Sequence, residues 1–178
     1  GQNVAGVWDS DYVSVLHMAN SPASSGLQQD STANNRDGTS VALSATSTGI
    51  VGDALDLNGT TQYVQYVAST TIPIPLNSGT VEMMYNPDTF AADANGKYLF
   101  TKDKSGAFNG EWRLFLGTDA AAPSQNSKLA FRIECPSGNG TSNVVSDVAP
   151  SLAGGWFGAG AVWDKAGGAN NMKLYWNG

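Results

Sequence analysis

The 178-residue sequence is poor in the residues that most catalytic and metal-binding sites require. Its one cysteine, Cys135, excludes an internal disulfide framework and favours a small, partly buried thiol. Its one histidine, His17, excludes a histidine-rich zinc site and weakens any Ser-His-Asp arrangement. The glutamates Glu82, Glu111 and Glu134 fall on three different predicted strands, so the sequence lacks the closely spaced carboxylate pair of a retaining glycosidase. We therefore expect no enzymatic activity.

Charge and long apolar runs are also scarce. Charged residues make up only 13% of the chain, against about a quarter in typical domains. The net charge of −6 repels phosphate backbones and anionic lipids, so we expect no nucleic-acid partner. No apolar run approaches the roughly 18 residues of a spanning helix, so we expect no membrane insertion. The opening GQNVAGVWDSD lacks the basic and apolar regions of a signal peptide, which suggests a processed product or a domain of a longer chain.

The residues that are abundant indicate a turn-rich β protein. The chain has 21 glycines and many Asn, Ser and Thr residues. Asn-Gly pairs, which favour tight antiparallel turns, recur at 58–59, 95–96, 109–110, 139–140 and 177–178. Apolar-polar alternation predicts strands at 12–18, 54–58, 62–67, 79–85, 97–102, 111–116, 128–134, 142–147, 156–163 and 172–176. Together these signals predict an all-β, antiparallel, two-sheet β-sandwich.

Alternation also assigns faces to the predicted strands. Trp112, Leu114 and Leu116 form one inward set, and 129–133 contributes another through its odd-numbered positions. The segment 72–76, IPIPL, cannot be a central strand because each proline removes a ladder donor; we expect an extended bridge or an edge. The segment 54–67 is predicted to be a hairpin that turns after Asn58-Gly59.

Several segments together resemble the laminin-G-like, pentraxin-related domains of the concanavalin A-like lectin/glucanase fold. The segments are DSTANNRDG at 30–38, GDALDLNGTTQYV at 52–64, GTVEMMYNPDTF at 79–90, GGWFGAGAVWD at 154–164 and MKLYWNG at 172–178. The resemblance implies one jelly-roll domain over 1–178. Domains of this family continue past the last of these segments for several strands. We therefore expect either a fragment of a longer chain, or strand donation from a partner chain in a homo-oligomer or other complex.

The loop 30–38 is a candidate metal site. It offers side-chain oxygens from Asp30, Asn34, Asn35 and Asp37, and Ca²⁺ takes six to eight oxygen ligands at flexible spacing. In the resembling domains this region often helps to hold a structural calcium ion, which implies Ca²⁺ as a cofactor here. A solvated turn with Asx caps is the alternative interpretation of the same residues.

The loop 103–111, DKSGAFNGE, is the candidate ligand-binding loop. Carbohydrate sites combine aromatic faces with amide and carboxylate groups, and Asp103, Phe108, Asn109 and the adjacent Trp112 supply these. The alternative for any of the aromatics is a place in the sandwich core.

Taken together, the residues and the resemblance predict a non-catalytic recognition or adhesion module. It would bind a glycan or a protein surface, with calcium support, in a larger extracellular, cell-surface or virion-surface protein. The alternative is a structural subunit or decoration protein of a virion or surface assembly, and a third hypothesis is a glycan-degrading enzyme.

Overall fold

The structure is a computed structural model that describes ten segments of the chain: residues 6–19, 26–43, 45–66, 77–87, 97–102, 112–117, 128–134, 141–146, 155–168 and 171–177. Residue contacts divide the chain into two compact units, Gly1–Pro73 (unit 1) and Ile74–Gly178 (unit 2). The described segments include no helix that is long and apolar enough to cross a membrane.

The described residues form twelve strands, and every pairing between them is antiparallel. The strands of unit 1 are β1 (Leu27–Gln28), β2 (Gly38–Val41), β3 (Ala45–Thr48), β4 (Asp53–Asp56) and β5 (Tyr63–Tyr66). Those of unit 2 are β6 (Ser78–Tyr85), β7 (Lys97–Lys102), β8 (Trp112–Leu116), β9 (Leu129–Glu134), β10 (Thr141–Val145), β11 (Phe157–Asp164) and β12 (Met172–Trp176).

Unit 2 contains two sheets that share one core. One sheet has the order β10-β9-β8-β7 and the other has the order β12-β11-β6. Side chains from both sheets join a single apolar cluster, in which Leu114 and Phe131 of the first sheet meet Ala161 and Trp163 of the second. Packing between two facing antiparallel sheets defines a sandwich, so the predicted all-β class is confirmed.

The core of unit 2 is rich in aromatic rings. Trp112 stacks on Phe100 with ring centroids 4.6 Å apart and planes 10° apart. The ring centroid of Trp163 lies 5.5 Å from that of Trp112 and 5.4 Å from that of Phe131. Such ring pairs add about 0.5–1.5 kcal/mol each beyond the area they bury. Removing a central ring should therefore cost more than an average core substitution.

Unit 1 has two smaller sheets, with the orders β1-β2-β5 and β3-β4. The chain before β1 packs closely on the first of them. A Cβ atom at Gly38 would lie 2.7 Å from Cγ1 of Val64 and 3.0 Å from Cδ1 of Leu16. Only glycine therefore allows this approach of Leu16 to the sheet.

Two local predictions for unit 1 were wrong. The predicted strand 12–18 is an irregular segment with a single antiparallel bridge, between Leu16 and Asp30. The predicted hairpin 54–67 does not exist, because β4 pairs with β3 and β5 pairs with β2. The segment 72–76 lies outside the described residues.

Asn58 explains why the chain leaves β4 without forming that hairpin. Its side-chain oxygen accepts the backbone N–H groups of Thr60 and Thr61 at 3.0 Å and that of Gln62 at 3.2 Å. The Gln62 side chain in turn accepts the N–H of Asn58 at 2.8 Å. These bonds satisfy the loop internally, so the chain can pass from one sheet to the other without a ladder between β4 and β5.

Replacing Gly59 with Val should lower the free energy of unfolding by about 1–2 kcal/mol. Gly59 has φ +68°, and no atom lies within 4 Å of the position that a Cβ would take, so the cost is conformational and not steric. Chemical denaturation of Gly59→Val measures the change. Gly59→Asn is the control, because Asn tolerates the left-handed region, and it should lose less than half as much. Equal losses in the two variants would contradict a backbone origin.

Candidate functional site

The loop 30–38 is organised around the carboxylate of Asp30, which accepts four hydrogen bonds. One oxygen accepts the backbone N–H groups of Val15 at 2.9 Å and Thr32 at 3.0 Å. The other accepts the Thr32 hydroxyl and the backbone N–H of Arg36, both at 2.8 Å. A carboxylate offers about four lone-pair sites, so these four donors use them all. Asp30 thereby joins the segment before β1 to the loop that follows β1.

These hydrogen bonds keep Asp30 ionised although its side chain is buried. Burial raises the pKa of the Asp30 carboxyl, but the bonds from Val15, Thr32 and Arg36 lower it further, and the pKa lies below its ordinary value of 3.8. The neighbouring Tyr66 shifts the other way. Burial raises its pKa, a hydrogen bond to the Ser14 hydroxyl lowers it, and the charge of Asp30 raises it again.

The structure brings the other three predicted calcium ligands into the same loop, each in a local structural role. Asp37 accepts the backbone N–H of Asp30 at 2.8 Å. The Asn34 side-chain amide donates to the carbonyl of Tyr12 at 2.9 Å. Asn35 adopts a left-handed conformation with φ 51° and donates within the loop. The loop is therefore an Asx-capped turn that is hydrogen-bonded to the segment before β1.

This geometry does not present a cation cage as it stands. Across the described segments, no three His, Cys, Asp or Glu side chains come together as a metal-binding group. A calcium ion on Asp30 would have to displace hydrogen bonds that already occupy all its lone-pair sites. The contacts fit the Asx-capped turn, which the sequence left open as the alternative. Calcium binding stays a prediction that rests on the family resemblance.

The second predicted site is described only at its end. Asp103, Phe108 and Asn109 lie outside the described residues. Trp112 begins β8 with 4% of its surface exposed, and one face of its ring is covered by Phe100. A ligand cannot stack on a ring that protein atoms enclose, so the structure gives Trp112 the inward role that its alternation with Leu114 predicts.

His17 lines a small surface pocket together with Met18, Gln28 and Ser31. The pocket has a volume of about 120 Å³, well below the roughly 300–1,000 Å³ of drug-sized ligand sites. The His17 ring lies 6.4 Å from that of Trp8. This pocket is suited to a few water molecules and gives no basis for a binding site.

A different feature, not predicted from the sequence, lies on the outer face of sheet β12-β11-β6. Here a row across the three strands joins Glu82, Gly160 and Tyr175, which are in register. Glu82 is exposed, and 45% of Tyr175 is exposed. Since the two outer strands each lie about 4.8 Å from the central one, an acid and an aromatic ring face each other across a glycine.

A second row continues the feature along the central strand. Gly158 is in register with Met84, whose side chain is 55% exposed. Gly158 and Gly160 are two residues apart, so both leave the same face of β11 without side chains. We call these five residues the outer slot: Glu82, Met84, Gly158, Gly160 and Tyr175.

The two glycines on the floor of the outer slot lie close to the side chains of its walls. A Cβ atom at Gly160 would lie 3.4 Å from Cγ of Glu82 and 3.9 Å from Cβ of Tyr175, and one at Gly158 would lie 3.3 Å from Sδ of Met84. The backbone carbonyl oxygen of Val81 lies 3.6 Å from the same Cβ position at Gly160, and the distance to Met84 at Gly158 is shorter than an ordinary contact. A methyl side chain at Gly160 would therefore touch both walls at once, and Gly160 itself is buried.

The outer slot leaves a weak but readable trace in the sequence. FGAGAV at 157–162 alternates glycine with alanine, so one face of a predicted strand has two successive positions without a side chain. The sequence alone does not reveal the strand pairing that places Glu82 and Tyr175 on either side of those glycines.

Comparison of the chain with protein-family models, curated proteins and solved structures finds no match. The fold and the site define an antiparallel all-β protein with a sandwich in unit 2 and an outer slot whose walls, Glu82, Met84 and Tyr175, are exposed.

Proposed function

We propose that this chain is a non-catalytic recognition module that binds carbohydrate in the outer slot, as part of an extracellular, cell-surface or virion-surface protein. The observation that carries the proposal is the row of Glu82, Gly160 and Tyr175. An exposed aromatic ring beside a carboxylate is the pair of groups that a sugar requires, one for its C–H face and one for its hydroxyls.

The surroundings of Tyr175 support a rigid site. Its strand, β12, pairs along its full length with β11, and the inward neighbours Leu174 and Trp176 are packed in the core of unit 2. The ring is therefore presented from a fixed backbone, which lowers the entropy cost of binding. Lys173, one row away on the same outer face, adds a hydrogen-bond donor within reach of a larger glycan.

The same row argues against glycan hydrolysis. A glycosidase places two carboxyl groups on either side of the bond to be cleaved, about 5–10 Å apart. Glu82 faces a glycine and a tyrosine across its row and has no carboxylate partner there. The arrangement can hold a hydroxyl group but lacks the acid-base pair.

A glycan array probed with the full chain tests the proposal. Tyr175→Ala should lower binding at least tenfold, since stacking on an aromatic ring is the main apolar contact, and Glu82→Gln should lower it severalfold. Gly160→Val should also abolish binding, because its side chain fills the floor between the two walls.

The matched control is Tyr63→Ala, which removes a tyrosine of similar exposure from β5 in unit 1. This variant should bind as the unchanged chain does. Absence of binding across neutral and acidic oligosaccharides, or full binding by Tyr175→Ala, would overturn the assignment.

EDTA separates the outer slot from the calcium prediction. Binding in the slot uses a carboxylate and an aromatic ring and needs no metal ion, so it should be unchanged when EDTA is added. A loss that calcium alone restores would return the loop 30–38 to the list of functional sites.

The second candidate function, a structural subunit of a virion or surface assembly, is favoured by the sheet edges of unit 2. Within the described segments, β6 and β12 each pair with β11 alone. Edges of this kind accept a strand from a partner chain. Light scattering of the purified chain tests this candidate: a stable oligomer supports assembly, and a monomer at high concentration contradicts it.

A further inference from the structure

The turn that joins β3 to β4 in unit 1 carries an unusual pair of residues. Thr48 ends β3 and Asp53 begins β4, and the N–H of Gly49 donates to the carbonyl of Gly52 at 2.8 Å. Two aliphatic residues, Ile50 and Val51, stand at the end of the hairpin. We call these two the apolar tip.

The two glycines fix the shape of this turn. Gly52 has φ +73°, a conformation that side chains disfavour. A Cβ at Gly49 would lie 3.1 Å from the carbonyl oxygen of Gly52 and 3.2 Å from that of Asp53, both backbone atoms. The glycines alone therefore specify the turn, and the positions between them could hold polar residues, as hairpin turns normally do.

The apolar tip contributes little to the fold. Val51 is 89% exposed and Ile50 is 56% exposed, so most of their apolar surface remains in water. Both are β-branched residues, which fit strands better than turns. Two such residues side by side at an exposed turn form a small apolar surface that is accessible to another molecule.

Charge narrows the choice of that molecule. The hairpin presents exposed carboxylates on Asp53 and Asp56, and the sequence has no lysine or arginine between Arg36 and Lys97. An anionic lipid surface would repel this hairpin. Insertion into a neutral bilayer would bury only two aliphatic side chains, and the hairpin lacks the aromatic or basic residues that anchor interfacial segments. A second copy of the chain also has a net charge of −6, so charge repulsion disfavours it as the partner.

We propose that the apolar tip inserts into an apolar pocket of a partner protein, and that the rim of this pocket is positively charged. The pocket encloses Ile50 and Val51, and basic groups on its rim meet Asp53 at the base of the turn. The apolar contact supplies affinity, and the charged rim selects the partner and speeds its approach.

A cationic cyclodextrin reproduces this chemistry without knowledge of the partner. Heptakis-amino-β-cyclodextrin is an apolar cavity with ammonium groups on one rim. In titrations followed by methyl NMR, the Ile50 and Val51 signals should shift and saturate. The amino form should bind about fivefold more tightly than neutral β-cyclodextrin, and added salt should remove this advantage because it screens the ion pairs.

Matched variants separate the tip from general surface stickiness. Ile50→Asn/Val51→Asn keeps residues that suit a turn, so it should fold and lose the titration. Leu57→Asn removes another half-exposed aliphatic residue of unit 1, outside the turn, and should leave the titration unchanged.

Three results would overturn the proposal. The first is the absence of methyl shifts with either cyclodextrin. The second is binding to phosphatidylcholine vesicles that the double Asn variant loses, which would assign the tip to lipid. The third is concentration-dependent self-association that the same variant loses, which would assign it to a second copy.

Discussion

Replacing Phe131 with alanine is expected to lower the free energy of unfolding of unit 2 by about 4 kcal/mol. Phe131 is fully buried between the two sheets, and its ring contacts those of Trp112 and Trp163. Its removal loses the apolar transfer energy and leaves a cavity that neighbouring rings on paired strands cannot close. Urea denaturation followed by tryptophan fluorescence measures the effect.

Tyr85→Phe is a control within the same core. The Tyr85 hydroxyl is buried and has no hydrogen-bond partner among the described residues, and burial raises its pKa. Removing this hydroxyl should leave stability unchanged or raise it by about 1 kcal/mol, because an unsatisfied polar group is lost. If Phe131→Ala costs less than about 1.5 kcal/mol, the described packing of the two sheets is wrong.

Asp30→Asn should produce the largest change in unit 1, a loss of about 3 kcal/mol. The amide keeps one acceptor oxygen but turns an N–H₂ group toward donors that the carboxylate had satisfied. Hydrogen exchange at the amides of Val15, Thr32 and Arg36 gives a local measurement, and all three should lose protection together. Asp53→Asn, at an exposed carboxylate on β4, should leave them protected.

The same carboxylate sets the pH dependence of unit 1. Because the folded pKa of Asp30 lies below its ordinary value of 3.8, ionisation stabilises the folded state above that value. This contribution falls as the pH drops from about 4 through the folded pKa. Protection of the Val15 amide from hydrogen exchange should therefore decline in that pH window. In Asp30→Asn, the protection of this amide should depend less on pH. If protection in the unchanged chain is as independent of pH as in Asp30→Asn, the charge is not needed.

The sandwich of unit 2 could be predicted because its signals are local. Strands such as β6 and β12 alternate inward and exposed residues at period two, and burial on one face turns that alternation directly into structure. The predicted bounds at 79–85, 97–102 and 172–176 differ from the described strands by at most one residue.

The strand pairing of unit 1 was harder to predict. It depends on a loop whose hydrogen bonds are made within the loop itself. Asn58-Gly59 has the sequence of a hairpin turn, and Gly59 does adopt the expected positive φ. The side chain of Asn58 nevertheless closes a local loop, which frees β4 to pair with β3. The true hairpin turn at 49–52 has glycines at both ends, but Ile50 and Val51 at its centre favour a strand, so the turn signal was weak.

The outer slot shows the same limit on sequence-based prediction of sites. The functional sites were predicted in loops rich in Asp and Asn, because the sequence alone shows that these residues can bind a metal ion or a ligand. At Asp30 that chemistry is directed inward, to backbone donors. Glu82 and Tyr175 are more than ninety positions apart in the chain, and only the shared register on β11 brings them into one row.

Most of the buried side chains that the structure describes in unit 1 are polar. Among the described residues, Gln28, Asp30, Thr32 and Ser40 are buried there, and the Gln28 amide donates to the Ser40 hydroxyl at 3.0 Å. Exposure of polar surface lowers the heat capacity, whereas exposure of apolar surface raises it. Unfolding of this part of the chain should therefore carry a small heat-capacity change per residue, so its free energy of unfolding should curve little with temperature. Cold denaturation depends on that curvature, so cooling should have little power to unfold this unit.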